Sequence, residues 1–505
     1  MVEALQAMGS VVLDPYLIVL ILMTTVMGVV IGVLPGLGAT TGAALLLPFT
    51  LTMEPVHAIA VLATIYVSAT FAGSITAILI NTPGTAAAAA TTFDGYPLAQ
   101  RGEAGRALGI AVVSSTIGGV FSVIVLCIAA PMLARVAYEF RPPEYFALAL
   151  FGLSMLASIS AGGTVKNLIG GVFGVWLATI GAERATGIER FMFGNYELYE
   201  GLGFVPGFIG IFAISELLMQ SEKVDQVIKT IKLKAVKLPS RDDYKRIWKT
   251  VLRSCGIGTF IGVLPAEGAT IASMIGYAEA RRWSKNKEEF GKGAIEGIAG
   301  AEAANNAVNG PTLVPLLTLG IPGDNLTVIL VGAFIAQGLR PGPFLMEEQG
   351  PLVFAILVAM ALANVLFLFI GYFCIPLFAK IVTIRKSFLL PLTLVFAFAG
   401  TWVFRGQPFD LAILVFFGAF GYIAKKLHFD VTPMAMGFIL GPILEYSFGQ
   451  TMVLSQGNLP YYMFVERPVT AVIFLGTPVI TYLLWRRSMR LRREVADRLS
   501  NENSL

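Results

Sequence analysis

The sequence predicts an all-α polytopic membrane protein of about 11–12 transmembrane helices, with two inverted repeats and broken or re-entrant helices at its centre. The first observation is composition: 56% of the 505 residues are hydrophobic and 13% are charged. A water-soluble protein could not cover that much apolar surface. The second is a ten-residue stretch, IGVLPGLGAT at 31–40, that returns as IGVLPAEGAT at 261–270. Paired breaks of this kind, with Pro and Gly inside apolar runs, are typical of a transporter's binding site.

Composition also narrows the chemistry. There are only two His, and the three Cys are far apart in apolar runs, where they are expected to pack rather than bind metal. The net charge of +4 lies mainly in loops and in the C-terminal tail, so it indicates membrane orientation rather than a nucleic-acid partner. We therefore predict no metal centre and no nucleic acid, with membrane lipid as the surroundings.

Residues 1–222 are predicted to form an N-terminal membrane repeat. An acidic N-terminus without Lys or Arg precedes the apolar run 15–34, which is long enough to span, so the N-terminus is expected outside. The PG break of the first repeat copy follows it. Further spans are expected near 55–80, 107–130, 144–161, 167–182 and 203–218, with a second break, NTPGT, at 81–85.

A basic linker, residues 223–250, is the strongest cytoplasmic marker, and it separates a C-terminal membrane repeat at 251–485. The tail, 486–505, is also basic and expected inside. Pro35 and Pro265 are 230 residues apart, and Pro83 and Pro322, in the break GIPGD at 320–324, are 239 apart. The second copy therefore starts from the inside and the first from the outside, as inverted repeats do.

Each break is expected to leave a helix N-terminus with unpaired N–H groups and a partial positive charge, which is a site for an anion. Hydroxyl and amide side chains lie at the same places. The alternative is that these are helix kinks with caps. The candidate substrate-binding residues are Gly36, Gly38, Thr40, Thr41, Asn81, Thr82, Pro83, Gly84, Thr85, Gly268, Thr270, Asn305, Asn306, Pro322 and Gly323.

Three acidic residues, Glu267, Glu302 and Asp324, are candidates for holding a coupling cation or proton, as intramembrane carboxylates often do. Glu302, Asn305 and Asn306 share one face of a helix with small neighbours, so they could equally hold helices together. Asp324 could be only an N-cap. An ionised carboxylate would cancel the field that attracts an anion, so these residues are expected beside the substrate rather than on it.

The rival classes are an intramembrane enzyme and a receptor or channel. An enzyme would need a nucleophile with a base, a His-Glu metal set, or two catalytic carboxylates that meet in the membrane. No HExxH motif occurs in the sequence. We therefore expect no catalytic residue.

Several motifs together resemble the large membrane subunit of tripartite tricarboxylate transporters, the TctA family. They are GVLPGLG at 32–38, GSITAILINTPG at 73–84, DGYP at 94–97, FGKGAIEG at 290–297, EAANN at 302–306, PLLTLGIPG at 315–323 and GLRPGP at 338–343. The resemblance covers almost the whole chain. It departs from the family's usual residues at Ala266, Glu267, Ala301 and Asp324, and the acidic departures add negative charge near the site.

The resemblance implies a function and partners. It implies carboxylate import driven by a gradient of Na⁺ or H⁺, with no other cofactor. It also implies a TctB-like small membrane subunit and a TctC-like periplasmic solute-binding protein. The expected location is the bacterial inner membrane, with the N-terminus periplasmic and the C-terminus cytoplasmic.

Overall fold

The computed structural model describes residues 14–34, 36–159, 163–183, 186–222, 231, 233, 235–264, 268–381, 386–483 and 486. The predicted all-α class is confirmed, because strand is confined in these residues to one two-stranded antiparallel pair, β1 (Gly181–Ala182) and β2 (Glu189–Arg190). Pro35 and residues 265–267, which include the candidate Glu267, lie outside the described residues.

The helices of the N-terminal half are α1 (Pro15–Val33), α2 (Gly38–Thr50), α3 (Pro55–Ile80), α4 (Thr92–Leu98), α5 (Ala104–Ala137), α6 (Pro142–Ile159), α7 (Thr164–Ala178), α8 (Phe204–Phe208) and α9 (Ser215–Ser221). Those of the C-terminal half are α10 (Arg241–Val263), α11 (Gly268–Trp283), α12 (Ile295–Asn306), α13 (Leu313–Leu319), α14 (Asn325–Ala336), α15 (Pro343–Glu348), α16 (Gly350–Phe373), α17 (Ile375–Ile381), α18 (Lys386–Arg405), α19 (Pro408–Lys426), α20 (Thr432–Leu454), α21 (Leu459–Tyr461) and α22 (Pro468–Leu483). Short 3-10 or π turns occupy Ala86–Ala88, Ala99–Glu103, Tyr196–Leu198, Ile209–Ile214, Lys287–Glu289 and Tyr462–Glu466.

Membrane-length helices are present in number, so this is a multi-pass membrane protein. Within the described residues six helical stretches are long and apolar enough to cross: Pro15–Val33, Pro55–Ile80, Thr92–Ala137, Phe204–Ser221, Gly350–Phe373 and Pro408–Lys426. Leu459–Glu466 and Pro468–Leu483 make a seventh if this pair, bent by 95°, is one span. The hydrophobic stretch of α3 is wholly buried inside the protein, unlike that of the other five. The full set of 11–12 spans stays a prediction.

Local capping explains where two of these helices begin. Asp14 accepts hydrogen bonds from the N–H groups of Tyr16 at 2.9 Å and Leu17 at 3.3 Å. The bond from Leu17 is the main cause that lowers the pKa of Asp14 below its usual value. Ser240 and Asp243 form a reciprocal capping box at the start of α10. Both helices therefore have their first N–H groups satisfied by nearby side chains.

The chain forms two compact units, each assembled from both halves of the sequence. The larger lies within Met1–Tyr138, Val205–Leu264 and Gly268–Tyr422. The smaller lies within Glu139–Phe204, Pro265–Glu267 and Ile423–Leu505. In the smaller unit, the fully buried carboxylate of Glu144 pairs with Arg467 at 2.8 Å. Both candidate breaks and the candidate acids Glu302 and Asp324 belong to the larger unit.

Equivalent glycine contacts relate the two repeat copies within the larger unit. A Cβ on Gly32 would lie 2.4 Å from the carbonyl oxygen of Ala69, so α1 packs directly on the backbone of α3. Gly262, 230 residues after Gly32, would place its Cβ 2.9 Å from the carbonyl oxygen of Val308. Val308 lies 239 residues after Ala69. The α1–α3 contact and the contact of α10 with the α12–α13 region are therefore the same packing, built twice.

The Pro-Gly breaks at 81–85 and 320–324 have the same backbone geometry. Asn81 and Gly320, which are 239 residues apart, both end a helix in the left-handed region, with φ of 56° and 73°. Gly84 then returns to Gly73, and Gly323 returns to Thr312, in each case 11 residues upstream. The correspondence between the two breaks therefore has a physical basis in the returning chain.

Gly258→Ala should destabilise the protein, because the new Cβ would lie 2.4 Å from the carbonyl oxygen of Ala304 and backbone would have to move. Overpacking of this kind costs about 1–3 kcal/mol. Gly256→Ala, on the same helix, is the matched control, because its Cβ would meet nothing within 4 Å. Thermal unfolding of the purified proteins in detergent should show a lower Tm only for Gly258→Ala. Equal Tm values for the two variants would contradict the packing.

Candidate functional site

The buried helix α3 carries one side chain that reaches out of its own helix to an acid. The hydroxyls of Thr64 and Ser68 donate to carbonyl oxygens one turn earlier, which satisfies them locally. Tyr66 instead donates its hydroxyl to the carboxylate of Asp324, and the same hydroxyl lies 3.1 Å from Thr312 Oγ1. All three of these side chains are buried. Tyr66 therefore joins the N-terminal repeat to the C-terminal break.

Asp324 has two separate functions in this arrangement. Its Oδ1 accepts the N–H of Thr327 at 2.8 Å, and Thr327 Oγ1 lies 2.7 Å from the N–H of Asp324, which completes a capping box on α14. The expected N-cap is therefore confirmed. Oδ2 receives the Tyr66 hydroxyl. Because the carboxylate already occupies the start of α14, this N-terminus does not present free donors to an anion.

Glu302 lies in the middle of α12 and is fully buried. Its Oε1 accepts the hydroxyl of Thr91, and its Oε2 accepts Ser115 Oγ at 2.8 Å. The surrounding small residues permit this burial, because a Cβ on Gly118 of α5 would lie only 2.4 Å from the Ala303 carbonyl oxygen. Among the described residues, neither Glu302 nor Asp324 forms an ion pair with Lys or Arg. A charge on either carboxylate is therefore balanced by hydroxyl dipoles alone.

The helix that carries Glu302 is broken again shortly after it. The sequence predicts one helix over 295–308, but α12 ends at Asn306, and turns lead to α13 at Leu313. Asn305 Nδ2 donates to the carbonyl of Ala87 at 3.3 Å, and Asn306 Nδ2 donates to the carbonyl of Glu302 at 3.1 Å. Asn309, fully buried in the turns, has no hydrogen-bond partner for either side-chain polar atom. Buried amides at a helix break are suited to hold water or an ion.

The helix N-terminus that the sequence predicts after Gly84 is wrong. The structure has only a three-residue 3-10 turn, Ala86–Ala88, and α4 does not begin until Thr92. The reason is tertiary: the carbonyl of Ala87 and the hydroxyl of Thr91 are both bonded to α12. A turn this short has little aligned dipole to offer an anion.

Comparison with known proteins places this architecture. Residues 18–436 match the family model of the Tripartite tricarboxylate transporter TctA family, so the match includes both repeat copies, both breaks, Glu302 and Asp324. The chain belongs to this family. It is therefore a component of a membrane transporter, and the resemblance seen in the motifs is confirmed.

Two proteins of Agrobacterium vitis are similar to this TctA-family chain. One, described as an uncharacterized 52.8 kDa protein in the TAR-I ttuC′ 3′ region, is 39% identical over 482 residues, which is 95% of each chain. The other, described as an uncharacterized protein in the TAR-II ttuC′ 3′ region, is 37% identical over 227 residues, 45% of this chain and 93% of its own. No solved structure matches.

The first break of the TctA-family chain has an open helix N-terminus. No side chain caps α2 at Gly38, and a Cβ on Gly38 would meet nothing within 4 Å. Thr40 is partly buried beside it, while Gly36 contacts Gln220 and Thr41 Oγ1 donates to the carbonyl of Phe212 at 3.2 Å. Of the predicted anion sites, this N-terminus retains both free donors and space.

The remaining candidates fall into two groups. In the C-terminal repeat, Gly268 and Gly323 both approach Thr312, the neighbour of Tyr66, while Pro322 is buried and Thr270 is partly buried. In the N-terminal repeat, Gly84 is buried against Gly73, and Thr85 Oγ1 lies beside Gly73 without a hydrogen-bond partner. Asn81 and Thr82 are exposed, and Pro83 is partly buried. Their assignment to substrate binding stays a prediction.

Sequence reasoning missed the hydroxyls that hold the two acids. Thr91, Ser115 and Thr312 are ordinary polar residues of membrane helices, and nothing local marks them. Tyr66 had a signal, because it lies 239 residues before Asn305, the shift that relates the two Pro-Gly breaks. Applying the repeat shift to every candidate would have pointed to Tyr66.

Proposed function

We propose that this chain is the large transmembrane subunit of a tripartite secondary transporter that imports carboxylates, citrate-like tri- or dicarboxylates, on an ion gradient. A periplasmic solute-binding protein delivers the substrate, and a small membrane subunit completes the complex in the bacterial inner membrane. The observation that carries the proposal is a pair of buried carboxylates, Glu302 and Asp324, held by hydroxyls beside helix breaks in a TctA-family chain.

The coupling follows from electrostatics. The N-terminus of α2 attracts a carboxylate, whereas the ionised side chains of Glu302 and Asp324 repel one. A Na⁺ or H⁺ bound by either acid removes that repulsion, so cation binding and substrate binding favour each other. Such coupling is reciprocal, and it allows the ion gradient to drive accumulation of the anion.

Uptake of labelled carboxylates tests the proposal. Cells that express this chain with its binding protein and small subunit should accumulate substrate, and cells that lack any one of the three should not. Collapse of the Na⁺ or proton gradient by a selective ionophore should abolish accumulation. Accumulation that needs neither the partners nor a gradient would refute the proposal, and downhill flux alone would favour a channel.

Inverted topology is a separate prediction. With the native Cys replaced, Leu5→Cys should react with an impermeant maleimide in sealed cells, and Ala235→Cys should react only after permeabilisation. The physical reason is charge: the first 14 residues contain no Lys or Arg, whereas the linker at 223–250 is strongly basic. Labelling of both positions from the same side would reject the inversion.

A further inference from the structure

Asp94, at the second turn of the segment between the first Pro-Gly break and α5, carries none of the functions assigned above. It is fully buried. Its Oδ1 accepts three backbone hydrogen bonds, from the N–H groups of Gly291 at 2.8 Å and of Gly293 and Ala294 at 2.9 Å each. These donors come from the opposite repeat, about 200 residues away, in the loop that leads directly into α12.

This contact caps α12 from outside its own sequence. Ala294 occupies the N-cap position of α12 and offers no side-chain acceptor. Asp94 supplies the missing carboxylate at the positive end of the helix. The loop is shaped for it, because Gly291 and Gly293 have φ of 82° and 112°, where side chains are strained. A Cβ on Gly297 would lie only 2.2 Å from Asp94 Oδ2, so the first turn of α12 also leaves room for the carboxylate.

Asp94 is one of three contacts that tie the same segment along α12. Asp94 holds the N-terminus of α12, Thr91 donates to Glu302, and the carbonyl of Ala87 accepts from Asn305. As the segment runs backward from 94 to 87, its partners run forward from 294 to 305. The N–H of Gly95 donates to the carbonyl of Thr91 at 2.8 Å, so Asp94 and Thr91 share one helical turn. A displacement of Asp94 therefore moves Thr91.

We propose that Asp94 is a positioning residue for the coupling site: by anchoring the N-terminus of α12, it keeps the Thr91 hydroxyl on Glu302 and so sets the cation affinity of Glu302. This inference rests on the proposed coupling function of Glu302. The Thr91 hydroxyl stabilises the empty, ionised carboxylate. When that donor moves away, the ionised form is less favourable, and Glu302 binds the driving cation more tightly.

The test measures carboxylate uptake against the concentration of the driving cation, Na⁺ or H⁺, in proteoliposomes that contain the complete transporter. Asp94→Asn and Thr91→Val should each lower the half-saturating cation concentration by threefold or more. The double variant should show no further decrease, because both changes remove the same contact. Asp410→Asn is the matched control. Asp410 is also fully buried in the larger unit, but its partner is Arg405 at 2.7 Å, so the half-saturating concentration should stay unchanged.

A second measurement tests the anchor without transport. Hydrogen–deuterium exchange of the peptide 287–298 should be faster in Asp94→Ala than in the wild type or Asp410→Asn, because three amides lose their acceptor. If Asp94→Asn does not reach the membrane, Asp94→Glu replaces it in the uptake cycle with the same expected decrease, because the longer side chain displaces the loop.

The outcomes separate this inference from the proposed function. If Glu302→Gln retains wild-type cation dependence, the coupling function of Glu302 fails. If Glu302→Gln loses cation dependence, an unchanged or raised half-saturating concentration in Asp94→Asn overturns the positioning inference alone. Additive decreases in the Asp94→Asn, Thr91→Val double variant would also overturn it, because Asp94 would then act by another route.

Discussion

Glu302→Gln should abolish ion-driven accumulation of the carboxylate while the protein still folds and inserts. Gln has nearly the same shape, and its amide can accept one hydroxyl and donate to the other, so the contacts with Thr91 and Ser115 can be kept. The variant loses only the ionisable group. We expect gradient-driven accumulation to fall by about tenfold or more, equivalent to at least about 1.4 kcal/mol of lost coupling. Uptake by proteoliposomes with and without an imposed gradient measures this directly, and gradient-free substrate exchange should persist.

Glu296→Gln is the matched control for this prediction. Glu296 lies on the same helix, but it pairs with Arg246 at 2.8 Å and accepts Ser284 Oγ at 3.0 Å. Its loss should lower stability and leave ion dependence intact. If Glu302→Gln also keeps its ion dependence, Glu302 only holds α12 against α5 and the 87–94 segment, which is the structural alternative that the sequence left open.

Asp324→Asn and Tyr66→Phe should have opposite effects on the driving cation. Asn still caps α14 but carries no charge, so this variant should fold and exchange substrate while it loses dependence on the gradient. Phe leaves the carboxylate of Asp324 in place but removes one hydroxyl donor, a hydrogen bond to a charged group worth about 1.5–3 kcal/mol. Because that donor stabilises the ionised carboxylate, Tyr66→Phe should bind the cation about tenfold more tightly or better.

The half-saturating cation concentration for uptake distinguishes the two variants. Thr64→Val, on the same helix as Tyr66, is the control, because its hydroxyl bonds only to the carbonyl of Ala60. Unchanged ion dependence in Asp324→Asn would reduce Asp324 to a cap. Weaker cation binding in Tyr66→Phe would show that the phenol oxygen helps to hold the cation rather than the empty acid.

The sequence by itself determined the membrane class, the two copies of the repeat, the position of both Pro-Gly breaks and the acids Glu302 and Asp324. These features depend on local or periodic properties. Apolar length predicts spans, Pro and Gly interrupt helices within a few residues, and a charged residue in an apolar run stands out without a partner. The N-cap of Asp324 was also predictable, because the residues that form a capping box are three apart.

Only the tertiary structure decided what each acid contacts. Thr91 and Ser115 are 211 and 187 residues from Glu302, and Tyr66 is 258 residues from Asp324. Such pairs depend on how the helices pack, and no local pattern records the packing. The same contacts replaced the expected helix after Gly84 by a short turn, because hydrogen bonds to α12 outweigh the helix propensity of a few Ala residues. The cap that Asp94 places on α12 follows the same rule, since its donors come from about 200 residues away and only the folded chain brings them together.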